Sequence, residues 1–200
     1  MMRALQAAIL LVATLGAGLM AGLFAAFAYA VMPGLGRSGD RTFVQAMRHI
    51  NRAIRNGWFL LPFLLPLPLL ALATVLARNG HGRGVLPWIL AALVTYLAGF
   101  VVTAAVNVPL NNALDTLTWR DRPAPDGSGG GDADGNEDDQ GDQDYEARAG
   151  DDEALKAARR AFERRWVIWN IVRAVLHTAA FALLAWTLFL YGAGGAGGAT

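Results

Sequence analysis

Four long apolar stretches alternate with shorter polar segments along the chain. They cover residues 4–32, 57–77, 85–106 and 166–191, and the helical pattern of the third continues to about residue 117. A helix needs about 20 apolar residues to cross the hydrocarbon core of a bilayer, and each stretch reaches that length. The pattern predicts an all-α fold, a four-helix transmembrane bundle that forms a single membrane domain over residues 1–200.

The polar segment between spans one and two has the pattern of an amphipathic helix. Its apolar residues recur at helical spacing: Phe43, Met47, Ile50 and Ile54. Its arginines gather on another face: Arg41, Arg48, Arg52 and Arg55. Such a helix lies in the headgroup layer with its cations on anionic lipid, or it also forms a lid over a site. Both interpretations stay open.

The segment before span four is acidic and rich in glycine. Residues 123–150 contain almost no large apolar side chain, so they cannot bury enough surface to offset the entropy of ordering. The composition predicts a disordered loop. A helical pattern resumes at Asp152, a plausible N-cap, and leads into span four. The glycine-rich tail, residues 192–200, is expected to be flexible.

Composition agrees with a membrane protein and narrows the chemistry. Hydrophobic residues make up 54% of the chain and charged residues only 16%, which favours lipid as the solvent. No stripe of basic residues is interleaved with aromatics, so we expect no nucleic-acid partner. There is no cysteine, and the three histidines are not in ligand spacing, so we expect no metal site and no bound cofactor. Oligomeric state is left open.

Basic residues concentrate on one side of the predicted bundle. Thirteen of the 17 Lys and Arg residues lie in loop one, between spans one and two, or loop three, between spans three and four. By the positive-inside rule, loops one and three are cytoplasmic and both termini lie outside, in a multi-pass protein of the cell membrane. The amphipathic helix and the acidic loop are then cytoplasmic as well.

The end of span three is unusually polar. Residues four apart change from small to strongly polar along one row: Thr95, Gly99, Thr103, Asn107, Asn111 and Asp115. Pro109 lies among them and leaves the carbonyl of Ala105 without its helical donor. An opened turn flanked by asparagines is a place where amide groups face a ligand. The alternative is a frayed helix end with asparagines as caps.

Span four carries a polar row of its own, formed by Trp166, Asn170, Arg173 and His177. An arginine inside the membrane costs at least about 2.5–3.5 kcal/mol unless it is paired or hydrated. Arg173 therefore belongs to a polar cluster, or it snorkels to the interface. His177 is a candidate base, or a buried histidine that only satisfies a hydrogen bond.

The two polar rows also predict a pairing. Spans three and four run antiparallel, so residue numbers at equal depth have a nearly constant sum if both helices are regular. The predicted pairs are Arg173 with Asn107, Asn170 with Asn111, and Trp166 with Asp115.

Four segments resemble a known family of four-span bacterial membrane proteins, the anthrone-oxygenase-like proteins. They are Gly18–Leu35 (GLMAGLFAAFAYAVMPGL), Asn51–Asn56 (NRAIRN), Asn107–Asp115 (NVPLNNALD) and Glu163–Ala180 (ERRWVIWNIVRAVLHTAA). The resemblance covers nearly the whole chain except the acidic loop. It implies a shared polar core of binding residues: Asn107, Pro109, Asn111, Trp166, Asn170 and Arg173.

The resemblance also implies an activity, the oxidation of an anthrone to an anthraquinone by dioxygen without a cofactor. Such chemistry needs donors for an oxyanion, an apolar cleft and a base. His177 and Asp115 are the candidate bases. Two other classes stay open: a non-enzymatic protein that binds or carries a small lipophilic molecule, and a purely structural membrane protein.

Overall fold

Five helices make up the described parts of the chain. The computed structural model describes residues 1–80, 82–117 and 137–196, with side chains of the last range described over residues 146–194. The helices are α1 (Met2–Leu35), α2 (Asp40–Ala53), α3 (Gly57–Asn79), α4 (Arg83–Asp115) and α5 (Glu137–Ala196). All except α2 are long and apolar enough to cross a membrane. The predicted four-span, all-α fold is confirmed.

The four long helices form a closed bundle in which consecutive helices are neighbours. α1 packs on α3 and α5, and α4 also packs on α3 and α5. Leu10, Leu70, Ile89 and Leu184 meet in the centre and are fully buried. The outward face is apolar too: Leu19, Val94 and Val175 are more than 60% exposed. A bundle that is apolar inside and outside is suited to a bilayer, as expected of a multi-pass membrane protein.

Helix α2 is present where the sequence predicts it, and its apolar face is packed against the bundle. Phe43, Val44 and Met47 have no exposed surface, and they pack with Leu114 of α4 and Phe162 of α5. The arginines lie on other faces of α2. It is therefore docked across the end of the bundle through protein contacts.

The prolines of α3 divide this helix in two, Gly57–Leu64 and Pro66–Asn79. Pro66 has no N–H to give to the carbonyl of Pro62, four residues earlier. The Tyr96 hydroxyl of α4 donates instead, 3.2 Å to Pro62 O and 2.9 Å to Phe63 O. Tyr96 is fully buried, so the break in α3 is satisfied inside the bundle.

Helix α5 differs from the prediction at both ends. It begins at Glu137, so residues 137–150 of the segment expected to be disordered are helical, and Asp152 lies inside the helix rather than at its N-cap. Leu155 anchors the helix against α2. The rest of the predicted disordered loop, residues 123–136, lies outside the described residues.

The tail also differs from the prediction. Helix α5 continues to Ala196, so residues 192–196, which were expected to be flexible, are helical. Residues 197–200 lie outside the described residues.

Candidate functional site

A cavity of about 260 Å³ lies at the end of the bundle that α2 covers. All five helices contribute to its wall. About half of its lining residues are aromatic or aliphatic, and the others are polar or charged: Asn51, Arg55, Thr103, Asn107, Asn111, Asn112, Asp115 and Arg173. The cavity volume is slightly below the range of about 300–1,000 Å³ typical of small-molecule sites. The cavity therefore suits one small molecule that has both apolar faces and polar atoms.

Two π-helical turns shape the wall of the cavity. One covers Phe27–Val31 of α1 and the other Thr103–Asn107 of α4. Each is followed two residues later by a proline, Pro33 or Pro109, which cannot donate to the preceding turn. The N–H just before each proline bonds five residues back, in the wider π pattern. Single π turns are common at functional sites, and here they bring Phe27 and Asn107 into the cavity wall.

Arg173 is buried in the wall, with 5% of its surface exposed. Its Nη2 donates to Asn170 Oδ1 at 2.8 Å, and its guanidinium lies 4.3 Å from the ring centre of Phe24 and 5.5 Å from that of Trp166. Nε has no hydrogen-bond partner among the described residues. Arg173 thus points into the bundle as predicted, and it is held mainly by aromatic faces.

Several other buried polar atoms around the cavity also lack partners. Asn107 is fully buried, and neither atom of its amide is hydrogen-bonded within the part of the chain that the structure describes. The same is true of Asn51 Nδ2. Buried polar groups are usually hydrogen-bonded. Three such groups around one cavity indicate a place where a polar ligand atom would be bound.

The polar rows of α4 and α5 face each other, although one turn away from the predicted pairing. Trp166 Nε1 donates to Asn111 Oδ1 at 2.8 Å, not to Asp115. Asn170 Nδ2 donates to Phe24 O of α1 at 3.0 Å, not to Asn111. The predicted partners of Trp166 and Asn170 are therefore wrong. Arg173 is not hydrogen-bonded to Asn107 either, since its Nη2 donates to Asn170 and neither atom of the Asn107 amide has a partner among the described residues.

Asp115 lies at the rim of the cavity and faces α2. Its Oδ1 is 2.8 Å from Arg52 Nη2 and 3.5 Å from Arg48 Nε. Arg48 also donates to the backbone carbonyls of Asp115 and Leu117. These contacts fix α2 to the end of α4. They also stabilise the carboxylate form of Asp115.

His177 lies one turn deeper than Arg173 and does not line the cavity. Its ring is fully buried and packs edge-on against Phe24 and Tyr96. Nδ1 is 2.9 Å from Arg173 O, and Nε2 has no partner among the described residues. A side chain at Gly99 would overlap this ring, so the absence of one makes room for the histidine.

The structure brings most of the predicted site residues to one cavity, with two others just behind it. Asn107, Asn111, Asp115, Trp166 and Arg173 line the cavity. Asn170 lies behind Arg173 and holds it, and Pro109 acts through the π turn that precedes it. Among the described residues, Asp, Glu and His do not gather in groups of three or more.

The residues that sequence reasoning missed come mainly from α1, α2 and α3. Phe24 and Phe27 of α1 form part of the aromatic wall with Phe63 of α3, and Asn51 adds an amide from α2. Asn51 follows Phe43 and Met47 at intervals of eight and four residues, so it interrupts the apolar face of α2. A lone polar residue on that face was the available signal.

Comparison with known proteins identifies the family of the chain. No curated protein and no solved structure matches the chain. A family model described as anthrone oxygenase matches residues 51–183. This range is more than half of the chain, and it includes α3, α4, the Asn51 amide and the part of α5 that carries Arg173. The chain is a member of the anthrone oxygenase family.

Proposed function

We propose that this protein is a membrane-embedded oxygenase that converts a flat aromatic ketone of the anthrone type into the corresponding quinone, with dioxygen as the oxidant. The observation that carries the proposal is the cavity of about 260 Å³, where Arg173 Nε and the Asn107 amide lie among aromatic side chains and have no hydrogen-bond partner in the described part of the chain. Family membership supports the same class of substrate.

The cavity offers what an anthrone anion needs. Loss of a proton from the methylene group of an anthrone leaves a carbanion whose charge moves onto the ketone oxygen. Donors placed where that charge develops stabilise it most in a site without water. Arg173 and Asn107 are such donors, and Phe24, Phe27 and Phe63 form apolar faces for the rings.

The reaction balances without a bound cofactor. The carbanion gives electrons to dioxygen, and a carbon–oxygen bond forms to give a peroxide anion, which takes up a proton. The hydroperoxide then loses water: its O–O bond breaks, the remaining C–H bond of that carbon breaks, and a carbonyl forms. One oxygen atom enters the quinone and the other leaves as water.

Two side chains near the cavity could accept the proton of the methylene group, Asp115 and His177. Asp115 lines the cavity, and a carboxylate that is bound by Arg48 and Arg52 is a weaker proton acceptor than a free one. Nε2 of His177 has no hydrogen-bond partner among the described residues, and the rings of Phe24 and His177 are in edge contact. We assign proton abstraction to Asp115, because it is the candidate that lines the cavity.

A second candidate function is the binding or carriage of a lipophilic aromatic molecule. It is favoured by the ion pairs of Asp115, because a site without a free base would hold a ligand and not react with it. Binding requires the same aromatic wall and the same donors, so only turnover separates the two functions.

We also propose the orientation that the basic residues favour, with both termini outside and α2 on the cytoplasmic side. The cavity then opens near the cytoplasmic surface. Labelling of cysteines introduced at Thr42 and at Gly192 tests this: a reagent added from outside should reach only position 192.

Single-turnover oxygen uptake with anthrone tests the activity. Purified protein in excess over anthrone should consume about one dioxygen per anthrone, and labelled dioxygen should leave one labelled atom in the quinone. Removal of a donor to a developing oxyanion costs about 10²–10³-fold in rate, so Arg173→Met should slow the reaction by that factor. A rate equal to that of protein-free detergent would overturn the proposal and leave the carrier.

A further inference from the structure

Asn51 is the amide that α2 adds to the cavity. It lies on the same face of the helix as the fully buried Phe43 and Met47. It lines the cavity, and its Nδ2 is buried with no hydrogen-bond partner among the described residues. A buried donor that stays unsatisfied costs about 1–3 kcal/mol, so the position favours a ligand atom that accepts a hydrogen bond.

Asn51 and Arg173 reach the cavity from different helices. Asn51 lies on α2, which Arg48 and Arg52 hold to Asp115 at the end of α4. Arg173 lies on α5, where its guanidinium is bonded to Asn170 and lies 5.5 Å from the ring centre of Trp166. The two donors therefore belong to different parts of the cavity wall.

We propose that Asn51 is a specificity-determining residue, whose Nδ2 donates to a second oxygen of the ligand, separate from the oxygen bound by Arg173. This rests on the proposed function for the ligand class, a flat aromatic ketone. The preferred ligand then carries an oxygen substituent on an outer ring. A molecule with a single carbonyl occupies the cavity and leaves the Asn51 amide unpaired.

Binding of two stable ketones tests this without any turnover. Fluorenone is flat and tricyclic with a single carbonyl, and hydroxyfluorenone adds one hydroxyl on an outer ring. We would measure the Kd of each by quenching of tryptophan fluorescence, for wild type, Asn51→Leu, Asn51→Ala and His49→Leu in the same detergent. His49 is exposed on α2 and is absent from the cavity wall, so its variant is the matched control.

Wild type and His49→Leu should bind hydroxyfluorenone more tightly than fluorenone. Both Asn51 variants should lose this preference by about 3- to 10-fold, the range for one neutral hydrogen bond, because hydroxyfluorenone no longer gains that bond. The proposal is overturned if both Asn51 variants keep the preference for hydroxyfluorenone, or if both variants lose affinity for the two ketones equally. It is also overturned if wild type binds neither ketone. If the protein takes up no oxygen with anthrone, the proposed oxygenase activity is overturned, and the binding result for Asn51 still holds.

Discussion

Replacement of Arg173 by methionine should weaken ligand binding more than it changes the stability of the bundle. Methionine has a similar length and is apolar, so it fills the space beside Phe24 without a charge. Arg173 is 5% exposed, and no carboxylate lies within ion-pair distance of it in the described ranges. Its desolvation is therefore offset only by Asn170 and by two aromatic rings.

The cost of burying Arg173 and the free energy returned by its contacts are similar in size. A buried arginine in a membrane helix costs at least about 2.5–3.5 kcal/mol. The charged hydrogen bond to Asn170 returns about 1.5–3 kcal/mol, and a desolvated cation–π contact returns about 2 kcal/mol. The net loss of stability for Arg173→Met is then between about zero and 2.5 kcal/mol. At about 2–4 °C per kcal/mol for a chain of this size, Tm should fall by less than about 10 °C.

Ligand binding should respond much more strongly. A hydrogen bond from a charged donor contributes about 1.5–3 kcal/mol, so the Kd for fluorenone should rise by about 10- to 100-fold. The assay is thermal unfolding in detergent alongside fluorescence titration, with Arg164→Met as control, because Arg164 is exposed on the same helix. Unchanged fluorenone affinity in a folded Arg173→Met variant would refute the role of Arg173 in the site.

Three further substitutions test the packing around the site. Gly99→Ala should lower Tm, since the added methyl group overlaps the His177 ring and overpacking costs about 1–3 kcal/mol. Gly22→Ala is the control and should change Tm little, because the space beside Gly22 is open. Equal Tm shifts in the two variants would contradict the close contact at Gly99. Arg159→Ala should lower Tm, because it removes three hydrogen bonds to the segment where α1 joins α2, a loss of about 2 kcal/mol in stability. An unchanged Tm and unchanged protease resistance of α2 would show that Arg159 does not hold this segment. Trp166→Phe should cost about 1 kcal/mol, because the bond to Asn111 is lost, and thermal unfolding measures this; a loss of zero would mean that the bond adds no stability.

The spans and α2 could be predicted because hydrophobic periodicity is a local property of the chain. The position of α5 relative to α4 along the bundle axis could not be predicted. Trp166 meets Asn111 instead of Asp115, because the relative height of two helices is set by close packing such as that of His177 on Gly99. The π turn at Thr103–Asn107 also breaks the regularity on which the pairing was based.

The polar residues of the site were found because polarity inside a span is rare and visible in the sequence. Its apolar residues were not, since Phe24 and Phe27 look like any lipid-facing residues of span one. The role of α2 was left open between headgroup contact and lid for the same kind of reason. An amphipathic pattern shows that a face is buried, and only the fold shows that Phe43 and Met47 are buried against α4 and α5.

The most direct measurement of the central claim is a structure of the protein with fluorenone bound in a lipid nanodisc. The account predicts the ketone oxygen within hydrogen-bond distance of Arg173 Nε or Asn107 Nδ2, with the rings between Phe24 and Phe63. Fluorenone bound elsewhere, with the Arg173 guanidinium still on Phe24 and the Asn107 amide still unpartnered, would contradict it.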